Sequence, residues 1–60
     1  MQKLLLTPEE TASVLSVGRT KVYELIAVGA LRSVRIGSSR RIPASAVYEF
    51  VDRLDDTADE

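Results

Sequence analysis

The chain has 60 residues and a formal net charge of −1, and it contains neither Cys nor His. A chain of this length forms one small domain, because it buries only about 60% of the surface that its unfolded form exposes. Without Cys and His the sequence excludes disulfides, thiolate nucleophiles and Cys/His zinc sites, and it lacks the commonest general base. We therefore expect a protein that is not an enzyme and has no metal, no cofactor and no small-molecule substrate.

Hydrophobic residues make up 45% of the sequence and charged residues 28%, a composition typical of compact globular domains. No apolar run approaches the roughly 20 residues that a membrane span requires, and no export signal precedes the first apolar residues. We expect a cytoplasmic protein with no membrane partner.

The charges are distributed unevenly. Residues 19–41 contain six basic side chains and one acidic one, a local balance of +5, whereas residues 44–60 contain one basic and six acidic side chains, a balance of −5. The net charge therefore conceals a basic middle and an acidic end. A cluster of charges is often an ordinary solvated surface. The spacing of the residues has to decide between this interpretation and a binding surface.

The first predicted helix begins at Thr7. The Thr7 hydroxyl can accept a hydrogen bond from the Glu10 amide while the Glu10 side chain reaches back to Thr7, and Pro8 suits the first helical position. The residues before it, 3–6, form a short apolar piece that fits either an edge strand or a hydrophobic staple.

A second predicted helix begins near Gly18 and ends at Gly29, after residues 15–18 interrupt the first helix. Its apolar residues recur at spacings of three and four, at Val22, Leu25 and Ile26. Because Gly18 has no side-chain oxygen, we expect Ser16 or Thr20 to satisfy part of the helix N-terminus.

The first turn of this helix contains two cations, Arg19 and Lys21. Cations are unfavourable at the positively charged N-terminal end of a helix dipole, and a bound phosphate would make their placement favourable. Two short helices joined by a tight turn, with exposed cations at the start of the second, predict a helix-turn-helix with a recognition helix.

Residues 32–36 alternate between polar and apolar, residues 37–39 supply a turn, and the chain returns with residues 40–42. This pattern predicts a β-hairpin, here called the wing. We expect Val34, Ile36 and Ile42 to face the helices. The arginines of this segment then lie outside: Arg32, Arg35 and one or both of Arg40 and Arg41.

A third helix is predicted over residues 44–54, with a core face formed by Val47, Phe50, Val51 and Leu54. Residues 55–60 lack apolar anchors. The predicted fold is mainly α with a small β-hairpin, a winged helix-turn-helix of three short helices and a two-stranded wing. The domain is expected to cover residues 1–54, and residues 55–60 form a flexible acidic tail.

The order of these residues resembles the phage excisionases and their relatives, which are similar to MerR-type winged helices. The resemblance covers nearly the whole chain and rests on five blocks: Leu5-Leu6-Thr7-Pro8-Glu9-Glu10, Val17-Gly18-Arg19-Thr20-Lys21-Val22-Tyr23, Gly29-Ala30-Leu31, Val34-Arg35-Ile36-Gly37 and Arg41-Ile42-Pro43. Two positions depart from the family pattern, since the family commonly has Ser where this chain has Gly18 and often an aromatic residue where it has Arg40.

The resemblance implies that the second helix enters the major groove of double-stranded DNA and that the wing reaches the adjacent minor groove. It also implies DNA bending, binding of neighbouring protomers side by side, and assistance to a cognate integrase in excision, with integration disfavoured. Localisation would then be with DNA in the cytoplasm of a bacterial host.

The candidate DNA-binding residues fall into three groups. The recognition helix contributes Arg19, Thr20, Lys21, Tyr23 and Glu24; the wing contributes Ser38, Ser39, Arg40 and Arg41; and phosphate contacts come from Arg32 and Arg35. Arg19 can donate hydrogen bonds to O6 and N7 of guanine, and Glu24 can accept one from N4 of cytosine. Thr20 and Lys21 are expected to bind phosphates, and Arg40 or Arg41 is expected to enter the minor groove where it is narrow. We expect Arg19, Lys21, Arg40 and Arg41 to share one flank of the molecule.

Other interpretations remain open at this stage. Tyr23 is also typical of packing between a helix and a hairpin, and Glu24 of ordinary helix surface. The acidic segment of residues 49–60 has three possible roles: it contacts a neighbouring protomer, it docks the integrase, or it only confers solubility. The same fold also serves small MerR-like transcriptional regulators, and a protein-interaction or antitoxin-like adaptor would use these helices without binding DNA.

Overall fold

A computed structural model describes residues 4–58 of the chain. Within them, three helices and three short strands follow in the order β1 (Leu5–Leu6), α1 (Pro8–Leu15), α2 (Arg19–Ala27), β2 (Val34–Ile36), β3 (Ser39–Pro43) and α3 (Ala44–Ala58). The predicted fold, a mainly helical winged helix-turn-helix, is confirmed.

The start of α1 has the predicted capping box. Oε1 of Glu10 accepts a hydrogen bond from the Thr7 amide at 2.9 Å, and Oγ1 of Thr7 accepts one from the Glu10 amide at 3.0 Å. The buried hydroxyl of Thr11 donates to the Thr7 carbonyl at 3.0 Å, so this polar group is satisfied inside the core. These bonds fix the position of the first turn of α1.

The turn between α1 and α2 depends on Ser16, which has a φ of 59° and lies in the left-handed region. The Val17 amide donates to the Ala12 carbonyl at 3.0 Å, and the Ser16 amide donates to the Ser13 carbonyl at 3.2 Å. This is the Schellman pattern that ends many helices, here with Ser in the place that usually favours Gly.

The end of α2 shows the same pattern with the predicted Gly29, whose φ is 80°. The Ala30 amide donates to the Leu25 carbonyl at 2.9 Å, and the Gly29 amide donates to the Ile26 carbonyl at 3.1 Å. The C-terminal ends of both helices of the helix-turn-helix are therefore fixed by local hydrogen bonds.

The strands form an antiparallel sheet in the order β1-β3-β2. Strand β1 pairs with the far end of β3, Leu6 opposite Ile42, and this settles the open choice for residues 5–6 in favour of an edge strand. The wing is formed by β2 and β3, with Ile36 opposite Ser39 and a two-residue turn at Gly37 and Ser38. Ser39 is therefore the first residue of β3 and not part of the turn.

The pairing register corrects the expected orientation of the wing. Val34 lies opposite Arg41, and side chains opposite each other in an antiparallel pair point to the same face. Val34 and Ile36 therefore share a face with Arg41, while Ile42 points to the other face. Ile42 is fully buried as predicted, whereas Ile36 is 55% exposed, so the expectation that Ile36 faces the helices is wrong.

The core lies where α1, α2, β3 and α3 meet. Its buried hydrophobic side chains are Ala12, Val22, Leu31, Ile42, Ala46 and Val47, and the partly buried ones packed against them are Leu6, Leu15, Leu25, Ile26 and Phe50. Each large apolar side chain buried in this way contributes roughly 1.5–3 kcal/mol. Because this core is small, the loss of one member is expected to matter.

Helix α3 is longer than predicted and buries less of its apolar face. It continues to Ala58, so residues 55–58 belong to the helix and are not part of a tail outside it; residues 59–60 lie outside the described residues. Val47 is buried and Phe50 packs on the core as expected, but Val51 and Leu54 are 45% and 52% exposed. Those two expected core positions are wrong, because the helix extends past the elements that would cover them.

None of the helices within residues 4–58 combines the length and the apolar character needed to cross a membrane.

Candidate nucleic-acid interface

The first turn of α2 is open to solvent. Gly18 is the N-cap, with no side-chain hydrogen bond at the helix start and no acidic residue in the first turn. The expectation that Ser16 or Thr20 caps this terminus is therefore wrong. Arg19 and Lys21 have side chains that are 63% and 57% exposed, so both cations are accessible at an uncapped helix N-terminus.

The exposed side of α2 is the one that the sequence predicted. Val22 is fully buried, and all five candidate residues are exposed, namely Arg19, Thr20, Lys21, Tyr23 and Glu24. At about 100° per residue, Thr20 and Glu24 point most directly away from the buried Val22. Arg19 and Lys21 lie on opposite edges of this exposed face. The exposed face of α2 therefore carries a mixed set of polar and charged side chains.

Both cations at the start of α2 are already paired with carboxylates. Nη1 of Arg19 lies 3.2 Å from Oε2 of Glu9 at the start of α1, and Nζ of Lys21 lies 3.2 Å from Oε1 of Glu24. The pairing of Glu9 with Arg19 was not predicted from the sequence. It also means that the unfavourable placement of Arg19 near the helix dipole is offset within the protein, and that a bound phosphate is not the only means of compensation.

The wing carries a pair of arginines directly opposite each other. Arg35 on β2 pairs in register with Arg40 on β3, on the face that also contains Ile42. Nη1 of Arg40 donates to the Ser33 hydroxyl at 2.8 Å. The side chain of Arg35 makes no hydrogen bond or ion pair with any other described residue, so its guanidinium is the freest among the basic residues of 19–41.

Arg41 points to the face of the wing opposite to that of Arg40, because successive residues of a strand alternate. Its Nη1 donates to the Arg40 carbonyl at 2.9 Å. The expectation that Arg40 and Arg41 share one flank is therefore wrong, and only one of them can point with Arg35. Ser38 is exposed at the turn and Ser39 is half-buried in β3.

A cleft of about 610 Å³ lies between the end of α2, the base of the wing and α3. Three arginines, Arg32, Arg40 and Arg53, line it together with Glu49. Nη2 of Arg32 lies 3.3 Å from Oε2 of Glu49, and Arg53 donates to the Ala30 carbonyl. Arg32 is thus oriented towards α3 and is less available to a phosphate than Arg35. Arg53 was missed because the sequence places it in the acidic segment.

No group of three or more acidic residues within the described part of the chain is placed to hold a metal ion. What the arrangement offers is charge and hydrogen-bond donors on two protruding elements, α2 and the wing.

Comparison with known proteins gives the family. The family described as a helix-turn-helix domain matches residues 5–55. A protein of Saccharopolyspora erythraea named "Probable excisionase" is 52% identical over 52 residues, covering 87% of this chain and 53% of that protein. A Streptomyces ambofaciens protein named "Excisionase" is 47% identical over 47 residues, covering 78% of this chain and 76% of that protein.

A Mycobacterium tuberculosis protein, provisionally named as DNA-binding, is 40% identical over 48 residues, covering 80% of this chain and 62% of that protein. This chain thus spans about half the length of the first of these relatives and about three quarters of the second. No solved structure matches the chain.

Proposed function

The chain belongs to the helix-turn-helix domain family and to the excisionases within it, and from this we propose that it binds duplex DNA in a sequence-specific manner and assists a cognate integrase in excisive recombination. In this role it bends DNA, disfavours integration and performs no catalysis itself. Its place of action is the host DNA in the bacterial cytoplasm.

The observation that carries this proposal is the exposed, uncapped start of α2. Two cations and the polar residues Thr20, Tyr23 and Glu24 project from a helix whose other side is anchored by the buried Val22. In DNA-binding helix-turn-helix proteins, the N-terminal residues of the second helix contact base edges in the major groove. Arg19 then pairs with guanine O6 and N7, Glu24 accepts from cytosine N4, and Thr20 and Lys21 hold phosphates.

The wing supplies the second contact. Ser38 at the turn is small and exposed, and it allows the hairpin tip to enter a minor groove with Ser39 and one of Arg40 and Arg41 behind it. Arg35 is free to hold a phosphate, and Arg32 can do so if it leaves Glu49. A single module of this size has a small footprint, roughly 600–1,000 Å², so several copies bind side by side to give useful specificity.

Salt-dependent binding tests the DNA interaction. If four to five of the six basic side chains of residues 19–41 neutralise phosphates, a plot of log K against log salt has a slope of about −4. A slope near zero on every duplex contradicts DNA binding and favours the protein-interaction or antitoxin-like adaptor.

Footprinting on the DNA that flanks the gene, including any attachment site, separates the two DNA-binding functions. Regularly spaced protected repeats near an attachment site support the excisionase function. A single site that overlaps a promoter supports the alternative of a small MerR-like transcriptional regulator. Arg19→Ala is the control, because its loss weakens protection at the sequence-specific positions.

A further inference from the structure

The ion pair of Glu9 with Arg19 joins the first turns of two different helices. Their closest atoms are 3.2 Å apart, and the side chains are 60% and 63% exposed. The Arg guanidinium has five N–H donors in one rigid plane. A carboxylate that accepts from one of them, as Glu9 does from Nη1 of Arg19, restricts the directions in which the other donors can point and leaves those donors free for a second planar acceptor.

We propose that Glu9 is a specificity-determining residue that positions Arg19 for a guanine edge and disfavours its contact with phosphates. This inference rests on the proposed function, because it requires Arg19 to enter the major groove. The O6 and N7 atoms of guanine are uncharged acceptors, so Arg19 can contact them while Glu9 remains bound. A phosphate is an anion, and its approach to Arg19 brings it against the Glu9 carboxylate.

The position of Glu9 supports this role. It lies in the turn that the Thr7 and Glu10 capping box fixes, next to the buried Pro8. Arg19 is on a helix anchored by the buried Val22. The pair therefore joins two elements that are each held in place.

The second ion pair of this surface does not have these properties. Lys21 and Glu24 are three residues apart on the same helix, and the Lys ammonium is a point charge with rotating donors, so Glu24 imposes no plane on it.

The size of the effect is bounded by the exposure of the pair. An exposed ion pair changes an equilibrium by at most about five-fold, so Glu9 biases the contacts of Arg19 and does not block DNA. The bias increases in the complex, where DNA excludes water from the pair and its interaction strengthens. We expect an overall effect on base preference of about three- to ten-fold.

The test compares Glu9→Gln with the unchanged protein on a selected single-site duplex and on duplexes that substitute each base pair in turn. Arg19→Ala identifies the base pair that Arg19 reads. Glu9→Gln is expected to lower the preference at that same base pair by about three- to ten-fold, and to raise binding to unrelated DNA by about two- to five-fold. In the Arg19→Ala background, Glu9→Gln is expected to change no base preference.

Asp52→Asn is the matched charge control, since it removes one exposed acid from α3. On single-site duplexes, where no neighbouring copy is bound, it should affect all duplexes alike. The inference is overturned if Glu9→Gln shifts all duplexes uniformly, as Asp52→Asn does, or if it alters base preference without Arg19. Failure of the proposed function gives a different result: Arg19→Ala then changes no base preference, or the unchanged protein shows no salt-dependent binding. Thermal unfolding of each variant separates a loss of fold from a loss of preference.

Discussion

Arg35 on β2 lies directly opposite Arg40 on β3, with both guanidinium groups on the same face of the wing. Like charges in this relationship destabilise a strand pair, by an amount comparable to the roughly 0.2–1 kcal/mol that favourable pairs contribute. The neighbouring hydroxyl of Ser33 binds Arg40 but supplies no negative charge. A phosphate between the two arginines would relieve the repulsion, so we expect an anion bound there to stabilise the wing.

Arg35→Thr is therefore expected to stabilise the free protein and weaken its binding to DNA. The free energy of unfolding should rise by about 0.2–1 kcal/mol, because a Thr facing Arg40 removes the repulsion and suits a strand. The slope of log K against log salt should become less steep by about one unit. Urea unfolding and salt titrations measure the two effects.

Arg35→Lys is the control for this variant, since it retains the charge and should leave the salt slope unchanged. A variant Arg35→Thr that binds DNA with the original slope would remove Arg35 from the phosphate contacts.

Ser16→Gly is expected to stabilise the turn between α1 and α2. Ser16 has a φ of 59° and a ψ of 41°, a conformation that costs an L-residue roughly 1–2 kcal/mol. Part of this gain is lost because Gly has more freedom in the unfolded chain, which leaves about 0.5–1 kcal/mol. For a domain of this size the melting temperature should rise by about 4–8 °C per kcal/mol.

The opposite substitution at the end of α2 provides the comparison. Gly29 has a φ of 80°, and a Cβ added there meets no atom within 4 Å. Gly29→Ala should therefore add about 1–2 kcal/mol of backbone strain. Because Ala has less freedom than Gly in the unfolded chain, the net destabilisation should be about 0.5–1 kcal/mol. An unchanged melting temperature in both variants would contradict the assignment of strain to these left-handed positions.

The features that the sequence predicted well are those whose causes are local. The Thr7 and Glu10 capping box and the end of α2 at Gly29 depend on residues within a few positions of one another. The five sequence blocks that resemble the excisionases then allowed the fold of the whole chain to be predicted. The end of α3 was predicted wrongly because residues 55–58 contain no Gly or Pro to stop a helix, and a lack of apolar anchors removes packing without preventing helix formation.

The features that sequence reasoning missed depend on tertiary geometry. Glu9 and Arg19 are ten residues apart and meet only because of the angle between α1 and α2. The orientation of Ile36 depends on the pairing register of the wing, where a shift of one residue exchanges the two faces. Ser16 occupies a left-handed position that sequence patterns assign to Gly, so the residue type gave no signal.

Ile42→Ala and Leu54→Ala are expected to differ strongly in their effect on stability. Ile42 is fully buried in the core, so its truncation should cost about 2–5 kcal/mol. Small domains have total stabilities of roughly 0.05–0.15 kcal/mol per residue, and this loss would unfold a large fraction of the protein. Leu54 is 52% exposed, and its truncation should change stability by about 0.5 kcal/mol or less. Urea unfolding followed by circular dichroism measures both, and equal losses would mean that Leu54 is covered.

The acidic end of α3 gives a prediction for assembly on DNA. Asp52 and Asp55 are exposed on a helix that extends beyond the core, and we propose that they face basic residues of a neighbouring copy on adjacent sites. Because exposed ion pairs contribute roughly 0.2–1 kcal/mol each, the double variant Asp52→Asn with Asp55→Asn should lower spacing-dependent cooperativity by about two- to ten-fold in a gel-shift titration.

The same double variant should bind a single-site duplex slightly more tightly, because fewer carboxylates then repel the phosphates. This opposite sign separates a contact between protomers from a general loss of binding. If cooperativity keeps its magnitude and its dependence on spacing and excision is also unchanged, the acids of α3 take no part in the assembly and serve solubility. If cooperativity persists but excision by the integrase is lost, the same acids contact the integrase and not a second copy of the chain.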